Sequence, residues 1–287
     1  MTSLLALMAA VIYGAADFLG GTVARRASTL AAVIATQGAG LVLLLLGIPL
    51  MLDAVVTTND VVFGALAGVT GSVGVGLLYR GLAMGPMSIV APVTAVCAVV
   101  VPLIAGLIFG ERLVPAAALG VALAIAAVVL LGQAAPGNSP AHEPPRSAEH
   151  VAQAVRIALA SGVAIGGFFV CLGRTQAPAG LWPLAVSRAV SVSLFLGVAL
   201  LRKETWRIPV VAIAPAVSCG ALDMVANGLY LVAVRQGQLS LVATLASLYP
   251  ASTVLLARVV LGERLGRWQK VGVVTAVAAT ALIAASS

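Results

Sequence analysis

The sequence predicts an all-α polytopic membrane protein of ten transmembrane helices, arranged as two inverted five-helix repeats. Three observations predict it. Charged residues are only 9% of the 287-residue chain and hydrophobic residues 61%, whereas a soluble domain carries roughly 25% charged residues to cover its surface. The apolar residues come in long unbroken runs of the length that crosses a bilayer as a helix, without the period-two alternation of a barrel strand. The second half of the chain also repeats the pattern of the first.

Ten spans of about 20 residues would use about 200 residues and leave short loops. The first, 3–23, closes on Arg25-Arg26, and the second, 30–50, leads into a segment with two Asp and no basic residue. The third, 61–81, carries Arg80 at its end, the fourth, 87–109, closes on Gly110-Glu111-Arg112, and the fifth is 115–131. A central loop, 133–152, rich in Pro, Ser and charge, separates the halves 1–132 and 153–287. The second set is 155–173, 182–201, 209–232, 239–261 and 271–284; its ninth span closes on Gly262-Glu263-Arg264.

The halves match at a constant offset of 152 residues. Gly85, Ser88, Val90 and Ala91 fall on Gly237, Ser240, Val242 and Ala243, and Gly110-Glu111-Arg112-Leu113 falls on Gly262-Glu263-Arg264-Leu265. Gly14, Gly68 and Gly76 fall on Gly166, Gly220 and Gly228. Chance matches of Ala and Val are common in apolar sequence; a charged tetrapeptide at one register is not. An odd number of spans per repeat makes the second copy enter the membrane from the opposite face. Such inverted repeats recur in secondary transporters, with the site near the midplane between them.

Net charge is +7, but no basic cluster interleaves with aromatics, so nucleic acid is not the expected partner. The basic residues instead flank apolar runs. With the N-terminus outside, cytoplasmic segments carry Arg25, Arg26, Arg80, Arg146, Arg156, Arg202, Lys203, Arg207, Arg264, Arg267 and Lys270, and external ones only Arg112, Arg174 and Arg235. The positive-inside rule therefore places both termini outside. Met1–Leu7 has no basic side chain, so the first run reads as a span, not as a cleavable leader. Cys97, Cys171 and Cys219 lie singly in apolar runs, and His142 and His150 in the central loop, so no disulfide framework, metal site or cofactor is expected. No nucleophile-elbow, zinc-protease or P-loop pattern occurs, and catalysis is not expected.

With Gly110-Glu111-Arg112 and Gly262-Glu263-Arg264 at the ends of corresponding spans, the chain resembles EamA-type members of the drug/metabolite transporter superfamily. Tyr13-Gly14-Ala15-Ala16-Asp17-Phe18-Leu19-Gly20-Gly21, Leu78-Tyr79-Arg80-Gly81-Leu82-Ala83 and Ser88-Ile89-Val90-Ala91-Pro92 add to the resemblance, which covers both halves. It implies a ten-helix carrier in a bacterial cytoplasmic membrane, exporting or less often importing amino acids, metabolites or drugs. It also implies cytoplasmic termini, opposite to the orientation read from the charges.

Ionisable groups inside spans are expensive, about 3 kcal/mol on insertion scales, and each is a candidate site. Asp17 lies one turn from Tyr13 in the first span. Asp223 lies in the eighth with Asn227 at i+4 and Tyr230 at i+7, and Arg188 in the seventh between Ser187 and Ser191. These groups, with Gln37, Tyr79 and Tyr249, form the expected substrate or coupling site; the other reading of Arg188 and Asp223 is a permanent ion pair between two helices. Two carboxylates and one guanidinium favour a cation or an amine-bearing zwitterion. Pro92 and Pro102 in the fourth span and Pro250 in the ninth are expected kinks or hinges. Gly64, Gly68, Ser72 and Gly76 form a small-residue stripe for close helix packing. Glu111 and Glu263 read as helix caps, and Arg174 and Arg258 as snorkelling side chains.

The function expected is secondary transport of a small solute, by proton-coupled export. The alternatives are an importer or exchanger, and behind these a channel or scaffold. The expected partners are a small-molecule substrate, membrane lipid and protons, with the protein a monomer or homodimer.

Overall fold

The computed structural model describes residues 1–24, 26–47, 53–84, 87–131, 133, 148–261 and 266–286. Several residues read from the sequence, Arg25, Gly85, His142, Arg146 and Gly262-Glu263-Arg264-Leu265, lie outside the described residues, as does most of the central loop. So do the side chains of Ser88, His150 and Arg258.

The described residues form eleven α-helices: α1 (Thr2–Ala24), α2 (Thr29–Gly47), α3 (Thr58–Met84), α4 (Met87–Ile108), α5 (Pro115–Leu131), α6 (Ala148–Gly173), α7 (Trp182–Arg202), α8 (Val210–Gln236), α9 (Leu239–Ala246), α10 (Tyr249–Leu261) and α11 (Arg267–Ala285). A 3-10 turn, Ala177–Ala179, precedes α7. Seven helices are long and apolar enough to cross a membrane, and Pro92–Ile108, Pro115–Leu131 and Leu239–Ser252 are shorter apolar helices.

Two elements differ from the sequence reading, and a third, the ninth span, breaks next to Pro250, where a kink or hinge is expected. Helix α6 starts at Ala148, not 155, because Ala148–Arg156 is helix-forming but too polar to show in an apolar run; Glu149 in its first turn suits the helix dipole. The prolines of α4 do not interrupt it: Pro92 and Pro102 lie inside one continuous helix. The ninth span is broken. Leu248 N–H bonds to Leu245 O at 3.2 Å and Ala251 N–H to Leu248 O at 3.0 Å, a three-residue tightening that ends α9 and starts α10. Pro250 then sits in the first turn of α10, where its missing N–H has no helical partner to lose.

Helix α3 packs against α6 and α7, α1 against α8, α9 and α10, α2 against α7 and α8, α4 against α6 and α9, and α5 against α11. Small residues set these approaches. A Cβ on Gly68 would stand 2.6 Å from Ser187 O, and one on Gly64 2.9 Å from Pro183 O, so the α3 stripe lies against the α7 backbone. At Gly220 an added Cβ would overlap Thr36 O and stand 3.0 Å from Gly40 N, so α2 and α8 nearly touch. Hydroxyls join other pairs: Ser161 Oγ donates to Gly74 O at 2.8 Å and Thr94 Oγ1 to Ala158 O at 3.2 Å. Gly68→Leu is therefore expected to lower stability by ~3 kcal/mol, because the overlap is with backbone that cannot rotate away. Size-exclusion profile and thermal midpoint in detergent check this; an unchanged midpoint would show that α3 and α7 can separate freely.

Candidate functional site

The site begins with a polar chain across three helices. Tyr13 and Asp17, four residues apart, share one face of α1. Tyr13 Oη donates to Asn227 Oδ1 of α8 at 2.9 Å. Asn227 Nδ2 donates to Asp223 O at 2.7 Å and to Asp223 Oδ2 at 3.1 Å. Asp223 forms an ion pair with Arg188 Nη2 of α7. The Arg188 side chain is 9% exposed and that of Asp223 30%. The guanidinium is thus the more enclosed partner, and the carboxylate keeps an open edge.

That edge faces a cavity of about 690 Å³. Tyr13, Asp17, Gln37, Arg188, Asp223, Asn227 and Tyr249 all line it. A smaller cavity, about 370 Å³, shares Asp17, Gln37 and Asp223 and is also lined by Tyr79 and Cys219. Three expected residues stand apart. Tyr230 is fully buried behind the wall, its ring 4.5 Å from that of Phe169 and its hydroxyl donating to Phe169 O at 3.3 Å. Pro92 and Pro102 are buried in α4 and line neither cavity, whereas Pro250 follows Tyr249 at the start of α10.

Charge is unevenly balanced here. Asp223 is neutralised by Arg188, but no described cation pairs with Asp17. Gln37, 6% exposed, has an amide oxygen without a hydrogen-bond partner among the described residues. An unsatisfied buried acceptor costs ~1–3 kcal/mol. The cavity therefore presents one uncompensated carboxylate and one idle carbonyl, against apolar walls from Ile165, Phe168 and Phe169. The sequence offers no signal for Phe168 and Phe169, since two Phe in an apolar helix look like any lipid-facing pair.

At the end of the bundle that carries the N-terminus, the halves are tied together by polar contacts. Glu111 accepts from Leu239 N–H at 2.6 Å, Ser240 N–H at 3.0 Å and Ser240 Oγ–H at 2.5 Å, capping α9 across the halves. Asp60 accepts from Gln176 N–H at 2.7 Å, and Asn59 Nδ2 donates to Arg174 O at 3.1 Å. Within the second half, Arg235 donates to Gly180 O at 2.8 Å and Thr175 Oγ1 at 3.0 Å. The Arg174 guanidinium lies 4.7 Å from the Phe109 ring centroid. Glu111→Ala removes a charged cap from three donors and is expected to lower stability by ~2–3 kcal/mol, with Glu111→Gln losing less. Thermal unfolding in detergent reads this; equal midpoints for both variants and wild type would mean that the cap does not hold the halves.

The sequence profile of the EamA-like transporter family matches residues 1–133 and again 153–285. The chain belongs to that family. It is a multi-pass membrane transporter. A solved structure titled only "Crystal structure of protein" shares the fold, with a TM-score of 0.72 and 18% identity, over 98% of this chain and 95% of that one. No curated protein matches the chain.

Proposed function

We propose that this EamA-like protein is a secondary transporter that moves a small amine-bearing or zwitterionic solute across the cytoplasmic membrane by alternating access, exporting it in exchange for protons. One observation carries the reading: the Asp17 carboxylate on the cavity, with no cation among the described residues to pair with. A carboxylate held among helices needs a counter-charge, and the candidates that can come and go are a proton and a substrate ammonium. Competition of the two for one carboxylate is sufficient to couple export to proton entry. The Arg188 guanidinium has five N–H donors and uses one on Asp223, leaving donors for the carboxylate of a zwitterion.

In this reading the chain is two copies of one five-helix unit, 1–132 and 153–287, with α9 and α10 together making the ninth of ten spans. The support is the double profile match and the packing. Exchanging α1–α5 for α6–α11 turns the contact of α1 with α8 into that of α6 with α3, and that of α2 with α8 into that of α7 with α3. Mutual exchange of this kind is what a two-fold axis between the halves produces, and an odd number of spans in each half would put that axis in the membrane plane.

Proteoliposomes with an imposed pH gradient test the function, after thermal-shift screening of amines, amino acids, sugars and nucleosides. Expected is amine accumulation that collapses with a protonophore; amine flux that ignores the gradient would remove the proton coupling. Orientation has its own test. The basic residues place both termini outside, so a periplasm-active reporter fused after Ser287 is expected to be active. Activity of a cytoplasm-dependent reporter there would reverse the assignment.

A further inference from the structure

We propose that Gln37 is a specificity residue, selecting ammonium groups that still carry N–H bonds, primary amines above all, over quaternary ammonium ions. The inference rests on the amine reading of the cavity and goes beyond it to the kind of amine. Its basis is independent of Asp17's charge. Gln37 is 6% exposed, lines both cavities beside Asp17 and Asp223, and leaves its amide oxygen without a partner among the described residues. The side chain is held at that place from below. One turn on, Gly40 of α2 lies against Gly220 and Met224 of α8, where a Cβ would stand 3.2 Å from each, so the α2 backbone packs directly on α8 beside the cavity.

The chemistry follows from the count of acceptors and donors. Of the acceptors that line both cavities, Asp223 is committed to Arg188, while the Asp17 carboxylate and the Gln37 carbonyl are not; the remaining N–H donors of Arg188 and of the Gln37 amide cannot serve a cation. The Tyr13 hydroxyl is already given to Asn227. A solute that satisfies both acceptors must donate twice from one cationic centre. A primary ammonium has three N–H donors, so it can bond to Asp17 and Gln37 together. A quaternary ammonium has the charge but no donor: it would satisfy Asp17 electrostatically and make no hydrogen bond to the Gln37 oxygen. The apolar wall of Ile165, Phe168 and Phe169 suits an aromatic or aliphatic body on either ion and does not distinguish them.

The test is binding of phenethylamine and its N-methyl, N,N-dimethyl and N,N,N-trimethyl derivatives to the purified full chain, by titration calorimetry. In the wild type, affinity is expected to fall stepwise, about tenfold from the primary to the quaternary ion, the worth of one hydrogen bond from a charged donor. Gln37→Met, similar in shape but without an acceptor, is expected to weaken the primary amine about tenfold and leave the quaternary ion unchanged. Gln37→Glu, which keeps an acceptor, retains the preference. Equal binding of all four amines by the wild type overturns the inference, as does an unaltered preference in Gln37→Met or a lost one in Gln37→Glu. If Gln37→Met does not fold, the wild-type series and Gln37→Glu still decide. Binding that is lost in Asp17→Asn but indifferent to N-methylation rejects the role of Gln37 and leaves the amine reading standing. No binding of any of the four rejects both.

Discussion

Asp223→Leu alone is expected to destabilise the protein by ~3–5 kcal/mol, more than Arg188→Met alone, and the double variant to recover most of the loss. The asymmetry comes from exposure. Removing Asp223 strands a guanidinium whose side chain is 9% exposed, and arginine stays charged whatever its surroundings. Removing Arg188 strands a carboxylate that is 30% exposed, faces the cavity and still accepts from Asn227 at 3.1 Å. That group can meet water or take up a proton. Replacing both charges with apolar groups of similar volume leaves no stranded ion. Thermal midpoints in one detergent give the double-mutant cycle. If Asp223→Leu melts with the wild type, the pair is not holding α7 to α8. A double variant that is stable but silent in transport would show that the pair also serves the solute, which stability alone cannot reveal.

Much of the fold was legible because its cause is local. A run of about 20 apolar residues is a helix in lipid, and the ends of α3, α4 and α5 fall within a few residues of where the runs end. Proline was read less well. Pro92, Pro102 and Pro250 look alike in sequence, but the first two are carried inside continuous α4 while the third begins α10. The difference lies in the residues before Pro250, where Leu248 turns its N–H to Leu245 O and lets the helix restart. The sequence marks the place of that break through Pro250, but not the tightened turn ahead of it that separates this proline from the two in α4.

The cavity was legible in its charges and not in its walls. Asp17, Arg188 and Asp223 stand out because each interrupts an apolar run, and the structure brings all three to one cavity. Tyr230 shows the limit of face-counting. It shares the face of Asp223, but at 1.5 Å per residue it stands about 10 Å farther along α8, above the layer where Phe169 closes the wall. The clasp of Glu111 on Ser240 joins residues of opposite halves, so spacing along the chain could place the glutamate at a helix end but not name the helix that it caps.

Asp17→Asn is expected to abolish coupled transport while leaving the protein folded. The amide has nearly the shape of the carboxylate. Because no described cation pairs with Asp17, the substitution breaks no ion pair and relieves the helices of an unbalanced charge. Stability is therefore expected to hold or rise, which separates this variant from those at Arg188 and Asp223. A charge-assisted hydrogen bond is worth about 1.5–3 kcal/mol. Its loss corresponds to a fall in amine affinity of about tenfold to a hundredfold. The coupling should disappear outright, because an amide neither takes up nor releases a proton across the working pH range. Asp17→Glu keeps the charge but displaces it by a methylene, so it is expected to transport slowly and remain coupled. Proteoliposome flux with and without a pH gradient separates the cases. Normal, gradient-driven flux through Asp17→Asn would move the coupling to Asp223 or out of this cavity. A variant that aggregates would show that the carboxylate is structural, held by groups other than the described ones.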